Sequence, residues 1–348
     1  MRAVVYERAG GAEVLQLVER EVPAPGPGEV LLRVALSGVN PTDWKVRSTT
    51  APPAGWQVPG QDGAGVVEAV GEGVDPALVG RRVWVWESAA GRPWGTAAEH
   101  VLVLAERVVP LPDEAPLELG AALGIPFLTA HRCLTLGESA PSRVAPGTFE
   151  GRTVLVQGGA GAVGNAAVQL AAWAGARVLT TVSGPEKAEL AAAAGAHEVV
   201  DYRREDVVAR VRAAAPGGAD VVVEVSGANA ATTAQVVAQH GVVALYAGSP
   251  GESLVLPLRE QMTLNAQWHF VLVYSAPAAA KAAAVEDVRA AVAAGAVRVG
   301  REAGLPLTVI PLEEAARAHA AVEGGAVGKV LLDVGSGAVT GPGGGANG

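Results

Sequence analysis

Between an apolar strand pattern and an amphipathic helix pattern, residues 157–164 read Gln-Gly-Gly-Ala-Gly-Ala-Val-Gly. Thr153 to Gln157 is short, β-branched and apolar, the composition of a strand buried on both faces. From Val163 the apolar positions Val163, Ala167, Leu170, Ala171 and Ala174 recur at helical spacing until Gly175, a C-terminal stop. Gly159, Gly161 and Gly164 spell G-x-G-x-x-G: a tight turn, a side-chain-free approach for a pyrophosphate, and close helix-to-strand packing. Ala160, Ala162 and Val163 complete a turn whose amides and helix dipole face an anion. In a chain with 45 glycines the motif alone is weak, because an ordinary glycine-rich turn reproduces it.

Context strengthens it. Strands are expected at Arg177 to Val182, Glu198 to Tyr202, Ala219 to Val225 and Val242 to Tyr246. Helices Pro185 to Ala194, Glu205 to Ala215 and Ala230 to Gln239 alternate with them, the first and last closed by Gly195 and Gly241. This alternation predicts an α/β fold with a doubly wound parallel sheet.

At 348 residues the chain is too long for one ordinary core and suits two domains. Its net charge of −9 and lack of any Lys/Arg-rich segment argue against nucleic acid or an anionic membrane as partner. No apolar run reaches the roughly 18 residues of a membrane span, and Met1 to Glu7 enters a strand pattern directly, so a cytoplasmic protein is expected. The lone cysteine, Cys133, excludes intrachain disulfides and cysteine-rich zinc sites. The six histidines show no i, i+4 pair and read for the most part as surface or core residues.

Residues 1 to about 122 differ from the middle of the chain. Short strands at Ala3 to Tyr6, Glu29 to Ser37, Gly65 to Val70, Arg82 to Trp86 and His100 to Val103 are separated by Pro/Gly turns, predicting a mostly antiparallel β domain. A polar helical turn, Asn40 to Arg47, interrupts it. Pro112 to Leu136 is helical, and residues 137–151 read as an exposed loop. Asn265 to Val273 reads as another buried strand and Ala278 to Ala294 as an alanine-rich helix. Strands Leu307 to Ile310 and Lys329 to Val334 flank helix Leu312 to Glu323 and are expected to rejoin the β domain. The glycine-rich stretch 335–348 reads as a disordered tail.

An NAD-selective cradle places an acid at the end of the second strand, about 20 residues past the first glycine. That position here reads Leu179 to Gly184 without an acid, with Lys187 one turn later and Tyr202, Arg203 and Arg204 closing the third strand. Ser183, Gly184, Lys187 and Tyr202 suit a 2′-phosphate, so NADPH is the expected cofactor. Ser183 can equally serve as the N-cap of the helix beginning at Pro185.

Taken together, residues 38–43, 59–67, 121–130, the cradle, 195–203 and 328–330 resemble the medium-chain dehydrogenase/reductase superfamily, in its zinc-free quinone oxidoreductase branch that includes zeta-crystallin. The resemblance spans nearly the whole chain. It implies a GroES-like catalytic domain of residues 1–124 completed by 274–334, a Rossmann domain of residues 125–273 inserted between, and an active site in the cleft. Zinc dehydrogenases of the superfamily carry cysteine where this chain has Asn40 and histidine where it has Gln61, so no catalytic metal is expected. The resemblance further implies that Asn40 lies near the nicotinamide ribose, with Asp43 and Arg47 in the same wall and Thr129 starting the helix beside the cofactor. It extends the cofactor contacts to Ser226, Tyr246, Gly248, Ser249, Phe270 and Lys329. Asn40 to Asp43 can alternatively be a plain capping turn.

Family members often carry tyrosine two positions after Asp43, where this chain has Lys45. Asn40, Asp43 and Lys45 are therefore the candidate catalytic residues. Trp44, Arg47, Trp56, Gln61 and His269 are the candidate substrate pocket, with Trp44, Trp56, Trp268 and Phe270 able to form an aromatic pocket for a flat substrate. The expected activity is NADPH-dependent, metal-free reduction of quinones or related α,β-unsaturated carbonyls. A biosynthetic enoyl reductase acting on one polyketide-like enone and a nucleotide-bound binding or structural protein of zeta-crystallin type are the alternatives. A homodimer through the outer Rossmann strand is also implied.

Overall fold

The computed structural model describes residues 1–248 and 251–335. They fall into two compact units, residues 1–124 with 308–326 and 330 onward, and residues 125–307 with 327–329.

In the first unit, strand β1 (Arg2–Val5) pairs antiparallel with β2 (Gln16–Glu19). The long strand β3 (Glu29–Val39) ends at Asn40, and helix α1 (Pro41–Thr49) follows at once. Strands β4 (Asp62–Val70), β5 (Arg82–Val85), β6 (His100–Leu104) and β7 (Val108–Pro110) continue the antiparallel sheet. Helix α2 (Leu117–Leu134) is kinked at Gly124, where a β-carbon would lie 2.0 Å from Asp62 Oδ1.

The second unit is built of alternating strands and helices. Strands β8 (Thr153–Gln157), β9 (Arg177–Val182), β10 (Glu198–Asp201) and β11 (Ala219–Glu224) alternate with α3 (Ala162–Trp173), α4 (Pro185–Ala193) and α5 (Val207–Ala214). Then come α6 (Ala230–Val236), β12 (Val237–Leu245), α7 (Leu258–Leu264), β13 (Gln267–Phe270) and α8 (Ala278–Ala293). The parallel order β10-β9-β8-β11-β12-β13 places β8 and β11 side by side at the point where strand order reverses, the position at which such sheets bind dinucleotides. Strand β8 is buried on both faces, with Val154, Leu155 and Val156 at zero exposure, which explains its unbroken apolar run.

Strand β14 (Leu307–Pro311), helix α9 (Ala315–Glu323) and β15 (Lys329–Asp333) bring the chain back. Strand β15 pairs with β3, giving the order β14-β15-β3-β4-β5-β7 with β6 on β3.

Four sequence expectations give way here. Residues 274–307, assigned to the β domain, cluster with the parallel sheet, because α8 and the loop after it are hydrogen-bonded there. Asn165 Nδ2 donates to the Ala303 carbonyl and Gln169 Nε2 to that of Arg298. The helix expected to Gln239 ends at Val236, and the next strand starts at once. Gly241 lies inside that strand, where a β-carbon would lie 2.7 Å from Val237 Cγ2, so it permits close approach and stops no helix. The strand near Asn265 to Val273 is only four residues long and half exposed, since among the described residues it is the sheet's edge, with β12 as its neighbour. The 137–151 loop buries Val144 and Phe149 completely, so it is anchored and not simply exposed. The disordered tail expected at 335–348 lies, beyond Gly335, outside the described residues.

Candidate active site

The polar corner of the first unit follows from one turn of chain. Helix α1 begins as β3 ends, with Asn40 extended at its N-cap and Pro41 at the first helical position, where a missing N–H costs nothing. Asp43 Oδ2 accepts the Asn40 backbone N–H at 2.7 Å, and its Oδ1 accepts the Gly60 N–H at 3.3 Å. Asn40 Nδ2 donates to Asp62 Oδ2 at 2.6 Å. All three side chains are buried. Asn40 therefore caps α1 while its side-chain amide is held by Asp62. Asp62 is the member of this corner that sequence reasoning missed; its adjacency to Gln61 in the Pro59-Gly60-Gln61-Asp62 stretch was the available signal.

Lys45 is exposed, its Nζ 5.9 Å from the centre of the Trp44 ring, and Gln61 holds a buried Oε1 with no hydrogen-bond partner. Arg47 is fully buried, with Nη2 3.1 Å from Glu323 Oε2 on α9. Positions 43 and 47 are one helical turn apart and both face the interior of the β domain. Two further groups sense that corner. Burial, and then the Asp43 charge, push the Tyr6 phenol up to about 12 against the opposing pull of Arg47. Burial, and then the Arg47 charge, hold the His319 imidazole down at about 3.

Two of the aromatic side chains expected in a substrate pocket have partners within their own units. Trp56 packs edge-on against Trp94, with centroids 4.9 Å apart, and carries the Arg20 guanidinium 4.0 Å above its ring. Trp268 donates its Nε1 to Gln261 Oε1 at 2.9 Å and packs into the parallel-sheet core. Their apolar area is spent inside their own units.

In the second unit the glycine turn has the form its sequence requires. A β-carbon on Gly159 would lie 2.2 Å from Thr180 Oγ1, and one on Gly164 2.2 Å from the Gly158 carbonyl, so both are fixed by packing. A β-carbon on Gly161 would meet only that same carbonyl, at 3.5 Å, and Gly161 is the N-cap of α3. The result is an exposed, side-chain-free turn at the head of a 12-residue helix, which fits a pyrophosphate. Around it, Ser183 does not cap α4: the N-cap is Gly184, at φ +155°, without a side-chain cap bond. Lys187 is half-buried on the first turn of that helix, and Tyr202, Arg203 and Arg204 are exposed after β10.

Ser226 follows β11 and caps a short helical turn by accepting the Ala228 N–H. Tyr246 and Gly248 follow β12, and burial raises the Tyr246 phenol. Ser249 lies outside the described residues. Thr129 is buried inside the second half of α2 and does not start a helix. Lys329 is buried at the start of β15. On β13 the His269 imidazole is lowered by burial and then by Arg132, and Phe270 is 70% exposed. Among the described residues no group of three or more His, Cys, Asp or Glu is placed to hold a metal, and no helix is long and apolar enough to cross a membrane.

Comparison with known proteins matches residues 26–113 to an alcohol dehydrogenase GroES-like domain and residues 162–294 to a zinc-binding dehydrogenase family. A quinone oxidoreductase of Sus scrofa is 34% identical over 95% of this chain and 97% of its own. The crystal structure of an NAD-dependent alcohol dehydrogenase superposes with TM-score 0.81 at 30% identity, covering 96% of this chain and all of that one. The Escherichia coli quinone oxidoreductase complexed with NADPH does so with TM-score 0.79 at 25% identity, again over 96% of this chain and all of that one.

Proposed function

Because the chain belongs to the medium-chain dehydrogenase/reductase superfamily, in its quinone oxidoreductase branch, and is an oxidoreductase, we propose that it reduces quinones or related α,β-unsaturated carbonyls with NADPH and without a metal. The observation that carries this reading is the end-to-end relationship to a quinone oxidoreductase, 97% of which is matched. Bound NADPH supplies a hydride to the substrate's electrophilic carbon. The chain's own residues then bind, orient and hydrogen-bond. Gly161 and the first amides of α3 receive the pyrophosphate. Lys187, with Ser183, Gly184 and Tyr202, takes the 2′-phosphate, and the absence of an acid at the end of β9 favours it. Ser226, Tyr246, Gly248, Phe270 and Lys329 complete the cofactor contacts, with Thr129 and Asn40 beside the nicotinamide.

A conjugated carbonyl accepts hydride at carbon when its oxygen receives a hydrogen bond as negative charge develops there. Lys45 is the donor of choice, because its exposed ammonium carries protons to spare. Asn40, Trp44, Gln61 and His269 shape the substrate's surroundings, and Asp43 holds Asn40 in place. Asn40 and Gln61 stand where zinc dehydrogenases carry a thiolate and an imidazole, which supports metal-free chemistry. The same Lys45 substitution favours one second reading, an enoyl reductase specific for a single enone. We also propose a homodimer formed through β13, and a cytoplasmic location.

Oxidation of NADPH, followed at the nicotinamide absorbance with benzoquinone, naphthoquinone and simple enones, each repeated with NADH, tests the reading. Turnover of several quinones with a preference for NADPH is expected. Turnover of one enone alone would replace it by the second reading, and tight NADPH binding without any oxidation would leave a binding protein.

A further inference from the structure

Behind the glycine turn lies a chain of buried polar side chains that the cofactor contacts above do not use. It ends on Glu224, the last residue of β11, whose side chain has no solvent exposure. One carboxylate oxygen accepts the Ser226 N–H at 3.0 Å and Asn229 Nδ2 at 2.8 Å. The other accepts the Thr233 hydroxyl at 2.6 Å. Thr233 Oγ1 accepts Gln157 Nε2 at 3.3 Å, Gln157 Oε1 accepts the Thr181 hydroxyl at 2.5 Å, and Thr181 Oγ1 accepts the Gly158 N–H at 3.3 Å. Gln157, Thr181 and Thr233 are all buried.

Every donor in this chain points the same way. A hydroxyl has one proton to give, so a hydroxyl that donates toward Glu224 can only accept on its other side. The direction therefore runs from the Gly158 amide to Glu224, across β9, β8, α6 and β11. In a water-free interior such a one-way chain polarises cooperatively, each bond strengthening the next. Its two ends are the parts of the second unit that must hold a dinucleotide: the 158–164 turn at one end, and the loop of Ser226 and Asn229 at the other. A buried carboxylate is costly unless each lone pair is used, and replacing such a group by apolar packing is often neutral for stability. Holding the fold together does not by itself call for this arrangement.

We propose that Glu224 is a positioning residue for the cofactor. Through Thr233, Gln157 and Thr181 it fixes the phosphate-binding turn, and through Ser226 and Asn229 the loop after β11, so that both halves of the dinucleotide meet one preorganised receptor. This rests on the cofactor reading above.

The test is NADPH affinity, measured by nicotinamide fluorescence titration with no substrate present, alongside the melting temperature. Thr233→Val and Thr181→Val cut the chain at different links while keeping side-chain volume. Each should weaken NADPH binding about fivefold to twentyfold, the effect of one or two net hydrogen bonds. The double variant should lose little more than either single one, since a chain already cut cannot be cut again. Thr233→Ser, which keeps the hydroxyl, should bind within twofold of wild type. If Thr233→Val fails to fold, Thr181→Val against Thr181→Ser gives the same comparison from the other end. Folded valine variants that bind like wild type, or losses that multiply in the double variant, overturn the proposal. Wild-type protein that binds neither NADPH nor NADH overturns the cofactor reading itself.

Discussion

Gly161 and Gly164 lie three residues apart and use a missing side chain for opposite purposes. At Gly164 the protein itself occupies the space, with the Gly158 carbonyl 2.2 Å from where a β-carbon would sit. At Gly161 that distance is 3.5 Å and nothing else lies within 4 Å, so the space there is open. Alanine at Gly164 should therefore lower the melting temperature, at an overpacking cost of about 1–3 kcal/mol. Alanine at Gly161, whose φ of −82° any residue adopts, should leave the melting temperature unchanged and weaken NADPH binding at least tenfold, about 1.4 kcal/mol. Calorimetric melting and fluorescence titration of the two variants separate the outcomes; equal binding by Gly161→Ala would mean that the turn does not carry the pyrophosphate. The motif pattern named both glycines, but only the surrounding atoms distinguish their roles.

Among the elements, α8 shows how a helix with little amphipathic character is fixed by one charge. Asp287, 4% exposed, accepts His131 Nε2 at 2.7 Å, Arg143 Nε at 2.8 Å and the Val144 N–H at 2.8 Å, tying α8 to α2 and to the 137–151 loop. Burial alone would raise its carboxyl, but the hydrogen bonds from His131, Arg143 and Val144 outweigh burial and hold it down at about 2. Its folded value lies below the 3.8 of the free group, so its contribution is complete above that pH and is lost as pH falls toward 2. Wild type should lose melting temperature across that window. Asp287→Asn should be less stable at neutral pH by about 3–5 kcal/mol and nearly flat across the same window, as thermal melts in a pH series would record. Unchanged stability of Asp287→Asn at pH 7 would refute the anchoring role. The assignment of residues 274–307 to the β domain failed on this point: pairing between an aspartate and a histidine 156 residues apart leaves no local signal.

At the scale of the whole molecule, the proposed assembly rests on an edge. Among the described residues β13 closes the parallel sheet with one side unpaired, and Phe270 and Leu272 beside it, like Leu258 and Met262 on α7, are exposed. An uncovered edge with apolar neighbours invites pairing, and a second copy would extend the sheet across a two-fold axis. The Val271 N–H is already spent on the Leu245 carbonyl at 2.8 Å, so a proline there would detach the strand from its own sheet. Leu272→Asp with Met262→Asp is the cleaner probe. Sedimentation should show a wild-type dimer and a folded monomeric double variant; a monomeric wild type would sink the assembly.

The sequence by itself determined what depends on near neighbours. Strand and helix alternation, the β8–turn–α3 unit, the α1 corner at Asn40 and the return of the last strand to β3 were legible, because periodicity, proline and glycine act over a few residues. Tertiary structure decided whatever depends on partners remote in the chain. It decided that Arg47 is buried against Glu323, that Trp56 and Trp268 pack against the cores of their own units, that Asp62 holds Asn40, and that Glu224 reaches the glycine turn through α6, β8 and β9. Burial and hydrogen-bond satisfaction are properties of the packed surroundings, and a side chain of given type reads the same in sequence whether its partner is water or a residue 276 positions away.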